Sequence, residues 1–201
     1  MIGGGIMRKV GIMGGTFDPI HLGHMIAASS AMEAASLDEV WFIPTATPPL
    51  KPNTPLATAE QRLQMVQLAI ADQSAFRALD IELSRSGISY SFDTVTRLMS
   101  QYPHHQFSYI IGSDRIHDLP TWHRAEELRS LISFIGLNRP SDPLQLDLLS
   151  SEWRSKLTIA SMPLIGISST ELRLRAEQGL SLQYYVPDSV AQYIRRNRIY
   201  G

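Results

Sequence analysis

His21 and His24 stand three residues apart in the run Gly14-Gly15-Thr16-Phe17-Asp18-Pro19-Ile20-His21-Leu22-Gly23-His24. A helix that starts near Gly23 points both imidazoles toward one anion, because a helix start carries unpaired N–H groups at the positive end of its dipole. The paired glycines let backbone N–H groups approach the same anion. The spacing is neither GxGxxG nor GxxxxGK[ST], so neither a dinucleotide fingerprint nor a P-loop accounts for it. Two plainer readings stand beside this one: a capping or surface pair, and a metal pair. A His-x-x-His without a nearby third ligand is weak evidence for metal, and neutral imidazole serves an anion equally well by donating its N–H. A second cluster lies at Ile167-Ser168-Ser169-Thr170-Glu171-Leu172-Arg173. Ser168 and Glu171 have the spacing of a capping box, which by itself marks only a helix start. Hydroxyls crowded at a positive helix end, with the planar fork of Arg173 one turn on, also make an anion cradle. Two such cradles suit a triphosphate.

The elements that must position these clusters alternate between strand and helix. Lys9–Met13 reads as a buried strand, followed by the glycine turn and a helix over about Gly23–Ala35. Glu39–Ile43 is a second strand. Pro44–Pro55 holds five prolines and reads as an extended loop. Thr58 with Gln61 opens a helix that carries Leu63, Val66 and Ile70 on one face. Ala78–Leu83 reads as a short strand, and Phe92, Val95 and Met99 mark a helix. Phe107–Ile111 and Leu131–Leu137 are strand-like, with helical material from Leu119 to Arg129 between them. Leu157–Ser161 is a late strand; Ser168–Gln178 and Pro187–Arg196 close the chain as helices. Such alternation predicts an α/β, Rossmann-like doubly wound parallel sheet with helices on both faces and a small C-terminal helical segment. Ligands of these sheets bind beyond the carboxyl ends of strands, which is where both the glycine turn and the segment after Ile111 fall.

The chain has 201 residues, enough for one domain over 1–201 and a core burying about 70% of the unfolded surface. Met1–Ile6 reads as a flexible extension. Hydrophobic residues are 44% and charged residues 18%, which excludes a disordered chain. Net charge is −1, against a protein that coats a nucleic acid backbone. Cysteine is absent, so thiolate catalysis, disulfides and Cys-based zinc are excluded. No apolar run approaches the ~18 residues of a membrane span. Arg8 and Lys9 precede an apolar stretch, but Gly14, Gly15, Asp18 and Pro19 break it. A secretory leader is therefore rejected, and a cytoplasmic protein is expected. Of 18 basic residues, 15 are Arg. Trp41 and Trp153 read as packing residues, and His104 and His105 as solvated.

The run GGTFDPIHLGH resembles the HxGH signature of a nucleotidyltransferase superfamily, and Ile167–Arg173 resembles its ISSTxIR segment, with Leu172 for the usual Ile. Within it, further segments resemble the bacterial nicotinate-mononucleotide adenylyltransferases: Ile43-Pro44, Pro48-Pro49-Leu50-Lys51, Ser89–Thr94, Ile110–Asp114, Leu119–Trp122, Arg139-Pro140 and Ile199-Tyr200-Gly201. That family implies transfer of AMP from ATP to nicotinate mononucleotide, releasing pyrophosphate, with Mg²⁺ accompanying ATP and no metal held by the chain itself. His21 and His24 are then catalytic. Gly15, Thr16, Phe17, Gly112, Asp114, Ser168, Ser169, Thr170 and Arg173 would bind ATP. Lys51, Ser91, Trp122, His123 and Arg139 would bind the mononucleotide. The resemblance implies small-molecule substrates and neither nucleic acid nor membrane; it leaves a homo-oligomer open. The chain departs from the family pattern at Thr45, Leu50, Ser91 and His123. The rival readings are a pantetheine-phosphate adenylyltransferase or a cytidylyltransferase, which lack the SYxFDT and GxDxxxxxPxW segments, and a non-catalytic nucleotide-binding module.

Overall fold

The computed structural model describes residues 6–46, 55–84, 89–138 and 146–201. Lys51, Arg139, the Pro48–Lys51 segment and most of the expected Met1–Ile6 extension lie outside these described residues. The strands are β1 (Lys9–Gly15), β2 (Glu39–Pro44), β3 (Phe76–Ala78), β4 (Gln106–Gly112), β5 (Ser133–Asn138) and β6 (Leu157–Ser161). The helices are α1 (Leu22–Ala35), α2 (Ala59–Ala69), α3 (Ser91–Gln101), α4 (Ser113–Ile116), α5 (Ala125–Leu131), α6 (Ser151–Arg154), α7 (Ser169–Glu177) and α8 (Asp188–Arg196). The six strands form one sheet in the order β3-β2-β1-β4-β5-β6. β1 pairs with β4 in parallel, Lys9 opposite Gln106, and β4–β5 and β5–β6 are parallel too. This is the Rossmann-like α/β fold that the alternation predicts. The order reverses at β1 and β4, which directs attention to the turns leaving those strands.

The chain groups into two compact units. One comprises Met1–Met13, Ala27–Trp41 and Tyr90–Leu164; the other comprises Gly14–Ile26, Phe42–Ser89 and Ile165–Gly201. In the first, Val10, Ile12, Phe107, Ile110, Phe134 and Ile135 are buried along the strands, and Val95 and Leu98 of α3 and Leu128 of α5 are fully buried too. Both tryptophans expected to pack do so. Trp41 is fully buried and donates its indole N–H to Glu39 at 2.6 Å, and Glu39 is paired with Arg8. Trp153 lies 5.5 Å from the Phe134 ring and donates to Glu126. His105 departs from expectation. It is half-buried and stacks on Tyr102 at 5.7 Å, with Trp41 5.9 Å away, because the polar turn it occupies folds back over those rings.

In the second unit α2 opens with the expected reciprocal box: Thr58 Oγ1 accepts from the Gln61 N–H, and Gln61 accepts from the Thr58 N–H. Val66 and Ile70 lie inward as expected, but the inward face also takes in a charge. Arg62, Met65 and Val66 are buried, whereas Leu63 is only half-buried. A cation, Arg62, thus joins the buried face beside the apolar residues. α8 buries Val190 and Ile194, four apart on one face, and Ser189 donates to the Leu68 carbonyl of α2.

Three other boundaries shift. The short strand is Phe76–Ala78, not Ala78–Leu83: Leu79 N–H bonds to Phe42 O, after which Ser84 N–H closes a turn on Asp80 O. The helical material expected over Leu119–Arg129 comes in two pieces, a 3₁₀ turn at Leu119–Thr121 and then α5, parted at Arg124 with φ +53°. Leu131 ends α5 and is 40% exposed instead of starting a strand. Apolar character alone could not distinguish the last turn of a helix from the first strand residue.

Candidate active site

The turn leaving β1 lies in the second unit. Phe17 sits at φ +50° and is buried, its ring edge-on to His24 at 5.1 Å and 5.9 Å from Phe42. Gly15 is required beneath it, since a Cβ there would come within 2.9 Å of the Phe17 ring. The Arg62 guanidinium enters from α2, where one nitrogen donates to both Thr16 O and Thr45 O at 2.8 Å. Burial depresses the Arg62 pKa, and nearby Asp18 and Tyr200 oppose that shift. The cation thus pins the turn by its two carbonyls.

His21 directly precedes α1, and its carbonyl accepts from His24 N–H at 2.9 Å and Met25 N–H at 3.3 Å. Its own N–H donates to His24 Nδ1 at 3.2 Å. A neutral His24 accepting at Nδ1 carries its proton on Nε2, so that nitrogen is an uncharged hydrogen-bond donor. The two rings lie 3.8 Å apart, tilted by 30°. Gly23 packs against this pair: a Cβ there would fall 3.0 Å from His21 Nδ1 and 3.1 Å from its Cε1. Gly23→Ala should therefore improve helix propensity, by about 1 kcal/mol, while turning His21 by a few tenths of an ångström. Misplacement by 1 Å costs about 10²-fold, so a fall in kcat of roughly tenfold is expected with no loss of thermal stability. Wild-type turnover in this variant would show that the orientation of His21 is immaterial.

The two cradles, far apart in sequence, meet. Ser169 at the start of α7 donates its hydroxyl proton to Pro19 O at 2.9 Å, across 150 residues. Arg173 donates from one terminal nitrogen to Asp18 O at 2.8 Å and from the other to Thr170 Oγ1 at 3.3 Å. Ser168 is the N-cap and accepts from Glu171 N–H. The Glu171 carboxylate accepts from the Ser168 hydroxyl rather than its backbone, so the expected box is not reciprocal as the α2 box is.

Asp18 lies at the centre of this unit, 4% exposed. Its Oδ2 accepts from Leu56 N–H at 2.9 Å; its Oδ1 accepts from Ala57 N–H at 3.1 Å and from the Tyr200 hydroxyl at 2.7 Å. Burial, reinforced by Asp18, raises the Tyr200 pKa well above the ordinary phenol range. Asp18, Arg62 and Tyr200 were not singled out as site residues by sequence reasoning. Only Arg62 had a usable local signal, a charge within the i, i+3, i+4 stripe of Arg62, Met65 and Val66.

Among the described residues, the other expected site residues, Gly112, Asp114, Ser91, Trp122 and His123, belong to the first unit. Gly112 caps α4, and Asp114 is exposed in its first turn. Ser91 is the first residue of α3. Its neighbours meet the Trp122–Arg124 segment: Tyr90 and His123 rings are 4.3 Å apart, and the Arg124 guanidinium lies 3.8 Å above Phe92. Trp122 is half-buried and edge-on to Tyr109 at 5.4 Å. Ser91, Trp122 and His123 thus sit on adjoining segments. Among the described residues, no cluster of three or more His, Asp or Glu could hold a metal ion.

The parallel sheet in this order is a Rossmann-like nucleotide-binding type of fold, and comparison with known proteins gives the family. Residues 12–175 match the family described as cytidylyltransferase-like. The chain is 45% identical over 195 residues to the "Probable nicotinate-nucleotide adenylyltransferase" of Oceanobacillus iheyensis, covering 97% of this chain and 98% of that one. It is 40% identical over 194 residues to the nicotinate-nucleotide adenylyltransferase of Bacillus subtilis, covering 96% and 99%. Among solved structures, the Plasmodium falciparum nicotinic acid mononucleotide adenylyltransferase complexed with NaAD shares the fold, with TM-score 0.80 at 22% identity over 96% of this chain and 97% of that one. The chain belongs to the cytidylyltransferase-like family and, within it, to the nicotinate-nucleotide adenylyltransferases.

Proposed function

We propose that the protein transfers AMP from ATP to the phosphate of nicotinate mononucleotide, giving nicotinate adenine dinucleotide and pyrophosphate in NAD biosynthesis. Family membership supports the reaction. The single observation that carries the mechanism is the His24 Nε2 donor, set by the His21 N–H on Nδ1 and joined to Arg173 through the same turn.

A mononucleotide phosphate oxygen attacks the α-phosphorus of ATP, and the bond to the β-phosphate oxygen breaks in line. The pyrophosphate leaves with that electron pair, and no covalent enzyme intermediate forms. Such transfers need positioning and charge stabilisation more than covalent help. His24 donates to an α-phosphate oxygen and His21 to a neighbouring one, strengthening as charge builds there. Thr16, Phe17 and Gly15 give backbone contacts, while Arg173, Thr170 and the start of α7, with Ser168 and Ser169, face the outer phosphates. Gly112 and Asp114 take the adenosine. Lys51 and Arg139 serve the mononucleotide. The donor set is rich in N–H and O–H groups, which fit phosphate oxygens and not a resident cation. Mg²⁺ would therefore be held by the ATP phosphates, where it would neutralise charge. No helix among the described residues is long and apolar enough to cross a membrane. The cytoplasm is the proposed location, and small molecules rather than nucleic acid the proposed partners.

Pyrophosphate release with ATP and a panel of phosphate acceptors tests the reading. Nicotinate mononucleotide should be the preferred acceptor; preference for pantetheine phosphate, or no turnover at all, would defeat the assignment. The nicotinamide analogue should be poorer by at least ~10² in kcat/KM. Ser91 and the His123 N–H present donors that suit a carboxylate, with Trp122 stacking on the ring. An amide would set donor against donor, at about 1–3 kcal/mol for each buried group left unpaired. Equal turnover of acid and amide would remove this account of selectivity.

A further inference from the structure

Arg173 bonds to the carbonyl of Asp18 at 2.8 Å, while its nearest contact with the Asp18 carboxylate is 3.9 Å. A guanidinium this close to a buried carboxylate would ordinarily take it in a direct, charge-assisted bond. Here the carboxylate is occupied. Leu56 N–H holds one oxygen, and Ala57 N–H and the Tyr200 hydroxyl hold the other; the hydroxyl bond is the shortest of the three. The Tyr200 backbone has φ +72° and that of Arg198 φ +49°, a region that side-chain-bearing residues avoid unless their surroundings fix them. Those surroundings are present: Ile199 is buried, and Gly201 lies so near the Ala176 carbonyl of α7 that a Cβ would be 3.3 Å from it.

We propose that Tyr200 is a positioning residue for ATP binding: its hydroxyl holds the Asp18 carboxylate off Arg173, so that the guanidinium charge stays available to the outer phosphates. This rests on the adenylyl-transfer reading of the site. The tyrosine touches no substrate and acts through Asp18. The oxygen nearest Arg173 is Oδ2, the one Leu56 N–H holds, while Tyr200 anchors the other, Oδ1. Without the hydroxyl, Oδ1 keeps only the Ala57 N–H bond, so the carboxylate is free to rotate and close on Arg173, partly neutralising it before ATP arrives.

The test is a double-mutant cycle of Tyr200→Phe and Arg173→Ala, read by calorimetric binding of a non-hydrolysable ATP analogue and by steady-state kinetics. Tyr200→Phe keeps the ring and its packing. It should weaken the analogue and raise the KM for ATP by about tenfold, leaving the KM for the acceptor unchanged. In the Arg173→Ala background the same change should have no further effect on analogue binding. Unaltered analogue binding by Tyr200→Phe, or an equal loss in both backgrounds, would overturn the inference. Because the analogue is the probe, these outcomes are read even if the acceptor assignment is wrong. A wild-type protein that fails to bind the analogue would defeat the adenylyl-transfer reading and this inference together.

Discussion

Replacing His24 with Ala should lower kcat for adenylyl transfer by about 10²–10³, the scale of one lost oxyanion donor, or about 2.7–4 kcal/mol. The donor is uncharged and fixed in its tautomer by the His21 N–H, and the edge of Phe17 packs against its ring. It therefore needs little reorganisation as charge develops on the α-phosphate. The loss should fall on kcat more than on the KM for ATP, because Arg173 and the start of α7 would still hold the outer phosphates. Single-turnover rates with saturating ATP, on protein shown to be folded by circular dichroism, are the measurement. A change below fivefold would remove His24 from the chemistry.

The largest stability effect is expected at Asp18. Asp18→Ala removes the acceptor of the Leu56 and Ala57 N–H groups and of the Tyr200 hydroxyl. It also removes the carboxylate that opposes the burial of Arg62, a side chain only 2% exposed. Buried donors left without their acceptor cost about 1–3 kcal/mol each, and Asp18 serves three of them. Asp18→Asn keeps one acceptor but turns an amide toward an N–H donor, which should cost about 1–3 kcal/mol. Urea unfolding of the two variants gives the comparison. A loss below about 1 kcal/mol in the alanine form would mean that the network is not what holds the turn.

Where the signal is local, the sequence was readable. Thr58 and Gln61 announce the start of α2 through a reciprocal bond between neighbours, and β6 is found at its expected limits, where β-branched Thr158 and Ile159 favour extended backbone. The two clusters that meet at the turn were legible for the same reason, since glycine, histidine and hydroxyl residues group within a few positions. What joins them was not. Ser169 reaches Pro19, Arg173 reaches Asp18 and Tyr200 reaches Asp18 across 150, 155 and 182 residues, and no period or spacing encodes such a pairing. Arg62 shows a different failure. Val66 and Ile70 were read correctly as inward, but Arg62 was not, because a charged residue is assigned to solvent unless a partner is known. Its partners are two backbone carbonyls that sequence cannot display. Arg124 likewise gives no warning of its left-handed backbone.

The bonds from α7 to the histidine-bearing turn have a bearing on how the protein becomes active. Contacts of such sequence separation are entropically expensive to close and form late relative to local helices and turns. The eleven residues from Gly14 to His24 could adopt their turn early, yet they would lack the hydroxyl on Pro19, the guanidinium on Asp18 and the buried carboxylate network. During refolding, the histidine turn can thus exist before it can handle a triphosphate. Competence would arrive in one cooperative step, when α7 and the segment after α8 dock, rather than growing in proportion to secondary structure.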